Sequence, residues 1–193
     1  GFNRSDYPGY VSVINRYINY TNRMGILLVV SAGNEALDLD HDKDGYKTYC
    51  SAPHAVCVSA TGPTTGGTTG PWPDADAPAI YTNFGRSAIS VAAPGGNTGA
   101  SVWAACSGTS LLIPVCQTGN YVVGLGGTSM AAPHVTGLAA MIMAEEGTGN
   151  PGRVMAIIQI SADDLGQSRP EAWEETVEAP WPTRKGTASS SWP

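Results

Sequence analysis

Residues 26–35 read ILLVVSAGNE. Five apolar residues, closed in front by Gly25 and behind by Ser-Ala-Gly-Asn, have the length and composition of a strand buried on both faces, as strands of parallel sheets are. The preceding stretch, YVSVINRYINYTNRM at 10–24, repeats Val11, Ile14 and Ile18 at helical spacing. Asp6 and Pro8 suit the start of that helix, and Gly25 suits its end. Helix, tight turn and strand form one unit of an open α/β sheet. Such sheets place their sites at the carboxyl ends of the strands. Asn34, just past the strand, is therefore the first candidate, although an Asn beside a Gly is also an ordinary turn residue.

Outward from this unit, AVCVSA at 55–60 and AISVAA at 88–93 read as two more core strands, and NYVVGLGG at 120–127 has the composition of a further strand. TGPTTGGTTGPWPDADAP, 61–78, is a surface loop by composition. A helix is expected over 129–145, and another in PGRVMAIIQISADDLG, 151–166, with Pro151 in its first turn. Beyond Gly166 no apolar stripe continues, so 167–193 reads as an irregular tail. The chain of 193 residues, 42% hydrophobic, is long enough for one sizeable core. A net charge of −6 argues against nucleic acid or an anionic membrane as the main partner. The run VTGLAAMIMA, 135–144, is too short to span a bilayer.

The four cysteines, Cys50, Cys57, Cys106 and Cys116, lack the CxxC spacing of a zinc or redox centre. An even number of this kind points to disulfides and an extracellular, secreted protein; buried free thiols are the other reading. CSGTSLLIPVC, 106–116, contains a Gly and a Pro, which let its ends return to each other, so a Cys106–Cys116 bridge is expected. The first residues, GFNRSDYPGY, show neither a Met nor an apolar leader, as in a mature chain or a piece of a longer one.

A second candidate stands in GGTSMAAPHVTG, 126–137, where a glycine-flanked loop meets the start of a helix. Unpaired N–H groups at a helix start can face developing negative charge, and Ser129 sits among them. A serine ahead of an apolar helix is also an ordinary N-cap. Together the two stretches resemble the C-terminal half of the subtilisin-like serine protease catalytic domain. GTSMAAPH, 127–134, is similar to the nucleophile motif of that family, SAGNE to its oxyanion segment, and YTNFGRSAISVAAPG, 81–95, to the segment leading to the nucleophile loop. The resemblance covers roughly residues 8–166. It implies an α/β fold, a three-layer parallel sheet with helices on both faces, present here in part, with 1–166 as the C-terminal portion of the peptidase domain. It implies acyl transfer on a peptide or protein substrate, with Ser129 as nucleophile and Asn34 as oxyanion donor.

The resemblance also requires an Asp and a His before the serine. No histidine precedes Asn34; the three in the chain are His41, His54 and His134. Ser129 and His134, five positions apart on one helix, diverge by roughly 140° around its axis. His134 is expected to be a packing residue satisfied locally, His41 and His54 structural or surface residues. Asp6 lies in SDYPG, which does not resemble the family's Asp motif. The Asp and His would therefore come from an upstream half of the same domain, and the isolated chain would be inactive or nearly so. The alternative is an inactive, truncated relative that binds a peptide or protein as a scaffold. Finally, LDLDHDKDG, 37–45, spaces Asp38, Asp40, Asp42 and Asp44 so that they could wrap calcium. The twelfth position from Asp40 is Ser51 rather than Glu, and the stretch reads first as a solvated acidic loop. No cofactor other than this calcium is expected.

Overall fold

The computed structural model describes residues 2–41, 45–46, 49–66, 71–119 and 121–163. The expected tail, 167–193, lies outside them. The elements in order are β1 (Phe2–Asn3), α1 (Pro8–Arg23), β2 (Leu28–Ser31), β3 (Gly45–Tyr46), β4 (Ala55–Thr61), β5 (Val91–Pro94), β6 (Val102–Ala105), β7 (Val122–Leu125), α2 (Thr128–Glu145) and α3 (Pro151–Ser161).

The centre is a parallel sheet in the order β2-β4-β5, flanked by helices. Leu28–Ser31 of β2 pair with Ala55–Val58, and Val91–Pro94 of β5 pair with Val58–Thr61, so the two neighbours are staggered along β4. All seven residues of β4 are buried. Its side chains alternate between faces. Val56, Val58 and Ala60 pack on Ala131, Val135 and Ala139 of α2, backed by Val154 and Ile158 of α3. On the other face, Cys57 is bonded to Cys50 and Ser59 Oγ donates to the Asn83 carbonyl at 2.7 Å.

The helix boundaries follow local chemistry. Pro8 and Pro151 open α1 and α3, where the missing N–H costs nothing. Asn150 caps α3 by accepting from Arg153 N at 3.1 Å. Gly25, at φ +82°, turns the chain from α1 into β2.

The further strand expected near 120–127 forms as β7, and its partner β6 is an element the sequence reading did not name: the two pair antiparallel, Val102 opposite Leu125, in a separate two-stranded ribbon. The stretch of β6, SVWAA, has little strand signal of its own, and its partner some twenty residues on decides its conformation. Both disulfides form, Cys50–Cys57 and the expected Cys106–Cys116, the latter with Cα atoms 5.5 Å apart.

Candidate active site

Three chain segments meet at the carboxyl ends of the parallel strands. SAGNE leaves β2, Pro94-Gly95-Gly96 leaves β5, and Gly126-Gly127 enters α2. Gly127 N–H donates to the Gly95 carbonyl at 2.8 Å, which ties the second segment to the third. Tyr81 braces the same pair, its hydroxyl lying 2.9 Å from the Gly95 carbonyl and 2.6 Å from that of Gly96. Burial raises the Tyr81 pKa, against a smaller lowering by the Gly127 N–H, so the phenol remains a neutral donor.

Thr128 ties the first segment to the third. It is buried, and its hydroxyl accepts from Gly33 N–H at 3.1 Å and donates to Asn34 Oδ1 at 2.9 Å. Its backbone N–H reaches the same Oδ1, also at 2.9 Å. Asn34 and Thr128, 94 positions apart, are thus held together by a doubly bonded amide oxygen. With Oδ1 fixed, the Nδ2 end of Asn34 is oriented too. A Cβ at Gly127 would lie 3.5 Å from that Nδ2, so the glycine leaves the space beside the amide uncovered. Gly127 also adopts φ 155°, ψ 158°, a region essentially reserved for glycine.

A second amide, buried where that of Asn34 is exposed, shapes the loop from below. Asn83, 0% exposed, accepts from Glu35 N–H at 3.1 Å and Leu37 N–H at 3.0 Å. Its Nδ2 donates to the Ala32 carbonyl at 2.9 Å and to Glu35 Oε2 at 2.7 Å. All four bonding positions of this side chain are spent on the turn that carries Asn34. Gly33, at φ +105°, completes it; a Cβ there would lie 2.5 Å from Asn83 Nδ2.

Ser129 is the second residue of α2 and is exposed. The N-cap position belongs to Gly127 and no side chain caps the helix, which removes the N-cap reading of Ser129. Asn34 and Ser129 are therefore brought together, as their positions in the sequence suggest. The histidines are not. His134 lies on the same helix as Ser129, but its Nδ1 meets the Met130 carbonyl at 2.8 Å and its ring is exposed. It is satisfied locally, as expected, and the helix turns this position to the outside. His54, at φ +63°, directly precedes β4, at the opposite end of the sheet from Asn34. Seven residues of strand separate the two ends, roughly 20 Å. His41 Nδ1 meets Asp38 Oδ2 at 2.6 Å.

The acidic loop is put to a structural use. Asp40 accepts from the Ser87 hydroxyl at 2.7 Å and from Ser87 and Ala88 N–H at 3.0 and 2.9 Å. Burial pushes its pKa up, but these bonds outweigh it and hold the carboxyl below the usual range. The carboxylate anchors the turn that leads into β5. Asp42 and Asp44 lie outside the described residues, and among those described no cluster of three or more metal-ligating side chains forms.

Sequence reasoning named Asn34 and Ser129 but missed Thr128, Asn83 and Tyr81, which position them. Thr128 and Asn83 stood inside the stretches that carry the resemblance, and their polarity within otherwise apolar, small-residue surroundings was the signal available.

The model of the subtilase family matches residues 1–174, eight positions past the boundary expected from sequence. The chain is 30% identical over 158 residues to alkaline protease 1 of Aspergillus clavatus, covering 81% of this chain and 32% of that protein. It is 31% identical over 146 residues to the subtilisin-like serine protease Pen ch 13 of Penicillium rubens, covering 76% and 29%. Among solved structures it is similar to a protease of Pseudoalteromonas arctica, with TM-score 0.58, 25% identity and coverage of 78% of this chain and 40% of that one. A lanthipeptide protease shares the fold at TM-score 0.61 and 24% identity, covering 81% and 49%. The chain thus spans about a third of the length of these curated relatives, and it belongs to the subtilase family.

Proposed function

We propose that this chain carries the nucleophile and oxyanion donor of a subtilisin-like serine endopeptidase, and that in isolation it is a peptide-binding scaffold without useful turnover. The observation that carries the proposal is the clamp on Asn34. Two bonds from Thr128 hold Oδ1, and the amide N–H end lies beside the turn of Ser129. A donor fixed before reaction costs no reorganisation when charge develops. In the complete site Ser129 Oγ attacks the carbonyl carbon of a peptide bond and passes its proton to a histidine. The carbonyl oxygen, now negative, is held by Asn34 Nδ2–H and the Ser129 backbone N–H. The leaving amine takes the proton from the histidine, and water repeats the sequence on the acyl-enzyme.

A serine hydroxyl is a poor nucleophile without that base. His134 is turned away on the helix, His54 stands at the far end of the sheet and His41 is bonded to Asp38. This favours the scaffold reading for the isolated chain. The Asp and His then come from an upstream half of the same domain, for which α2 offers an uncovered apolar face. Two disulfides support an extracellular setting. The test is hydrolysis of an activated peptide ester and a peptide amide by the isolated chain and by Ser129→Ala. Amide hydrolysis at background for both is expected. Robust hydrolysis lost in Ser129→Ala would place a base within this chain and overturn the scaffold reading.

A further inference from the structure

The chain leaves β5 at Gly95–Gly96, runs out through β6, the loop closed by the Cys106–Cys116 bridge and β7, and returns at Gly126–Gly127 to open α2. At this neck the outgoing and returning backbones touch. A Cβ on Gly95 would lie 2.8 Å from the Gly127 carbonyl oxygen, and one on Gly96 would lie 3.4 Å from the Gly126 Cα. The four glycines bring no side chains to lock the neck. The bond from Gly127 N–H to the Gly95 carbonyl crosses it, and a single backbone hydrogen bond contributes little net stability. Tyr81 supplies a second tie from outside the excursion. Its ring packs against the core cluster that includes Ala131 of α2. Its hydroxyl donates toward the Gly95 and Gly96 carbonyls, at 2.9 and 2.6 Å, and the same oxygen faces the Gly127 N–H. One atom is thus held by the exit of β5 and by the entrance of α2.

We propose that Tyr81 is a positioning residue for the nucleophile turn: its hydroxyl latches the neck, and so sets the backbone from which Thr128 clamps Asn34 and Ser129 projects. The path is short. Gly127 is followed by Thr128, whose N–H and hydroxyl both bond Asn34 Oδ1 at 2.9 Å, and then by Ser129. A shift of Gly127 is therefore passed directly to the amide and to the serine. The ribbon beyond the neck is joined to the core through these same glycines, so without the latch its motions reach α2 unchecked. No Asp, Glu, Lys or Arg occurs from Ser87 to Ala144, so neither the ribbon nor the first turns of α2 bring a charged side chain that could replace the hydroxyl. The use of the latch in catalysis rests on the endopeptidase reading of Ser129; the geometry it controls does not.

The test compares the whole chain with Tyr81→Phe, which keeps the packed ring and removes only the hydroxyl. Amide hydrogen exchange is followed by nuclear magnetic resonance, together with the side-chain amide signal of Asn34, assigned by its loss in Asn34→Leu. In Tyr81→Phe the N–H groups of Gly127 and Thr128 should exchange roughly tenfold faster, and the Asn34 side-chain signal should move. Exchange at Val56 and Val58 of β4 should change less. Unchanged exchange at Gly127 would overturn the proposal. So would equal acceleration throughout the chain, which is a general loss of stability, or faster exchange at Gly127 with an unmoved Asn34 signal, which would stop the effect short of the clamp. A second readout uses the chain mixed with an upstream half that carries the Asp and His. There Tyr81→Phe should lower kcat roughly tenfold with KM nearly unchanged, as a misplaced nucleophile does; a rise in KM at constant kcat would contradict the positioning role. Absence of hydrolysis in the wild-type mixture would count against the endopeptidase reading alone, since the exchange and the Asn34 signal decide the latch without turnover.

Discussion

β4 and α2 are both largely apolar, yet the fold treats them differently. Every residue of β4 is buried, between α2 on one face and the Cys50 and Asn83 segments on the other. Of the eighteen residues of α2, only Thr128, Ala131, Val135 and Ala139 are buried, a single seam facing the sheet. Leu138 and Met141 on the outside are 39% and 64% exposed. A helix whose single charged residue is its last, Glu145, and whose outer side carries Leu138 and Met141 has apolar surface left to bury. The surroundings of β4 are complete within this chain, and those of α2 are not. The difference matches a chain that spans 32% and 29% of two of its curated relatives. The loop that carries Asn34 hangs from the Asn83 side chain on the enclosed side of this contrast.

The sharpest contrast is between two apolar side chains on opposite sides of that seam. Ile158→Ala, at 1% exposure behind α2, should cost about 2–5 kcal/mol. Met141→Lys should change the stability of the isolated chain by less than about 0.5 kcal/mol, but should block association with a half that covers α2. Chemical denaturation and a binding assay check the two parts; a large loss from Met141→Lys alone would mean that the outer face is already used.

Asn83→Ala probes the polar support on the other side of β4. It strips partners from the Ala32 carbonyl and the Glu35 and Leu37 N–H groups, of which Ala32 is fully buried. A loss of about 2–4 kcal/mol is expected in urea denaturation, with faster hydrogen exchange in residues 32–37. Asn150→Ala removes the cap of α3 and should cost about 1 kcal/mol, read from the same denaturation curves.

The smallest effect concerns Asp40, which ties the acidic loop to the turn before β5. Burial, the largest single influence, raises its pKa, and the hydrogen bonds from Ser87, Ala88 and Arg86 together lower it by more. A carboxyl depressed in the folded state contributes stability above its unfolded pKa, about 3.9, and loses it as pH falls through the native value. Asp40→Asn should therefore be less stable than wild type above pH ~4, with the gap narrowing at lower pH. A gap independent of pH would assign the effect to lost contacts alone.

How much of this was legible in the sequence follows from the range of the forces involved. β4 declares itself because seven buried positions in a row need seven small or apolar residues. β6 does not, because its conformation is set by β7 across the ribbon. The local preference of serine for a helix start suggested a cap at Ser129, but Gly127 takes that position because its backbone conformation is one that only glycine tolerates. Asn34 and Ser129 were legible through the stretches that contain them. The clamp between them was not, since the partner of an amide oxygen 94 positions away leaves no periodic trace. The exposure of His134 was not legible for a related reason: apolar neighbours in sequence do not reveal which face of a helix the rest of the chain covers.

The central claim is that Asn34 and Ser129 form a preset oxyanion and nucleophile pair awaiting a base. Its most direct measurement is peptide-amide hydrolysis after mixing this chain with a separately expressed upstream half that carries the Asp and His. Hydrolysis should appear on mixing and vanish with Ser129→Ala. With Asn34→Leu, kcat should fall by about 10²–10³, the loss that removal of such a donor causes in subtilisin. Hydrolysis that survives Ser129→Ala, or that is indifferent to Asn34→Leu, would contradict the account.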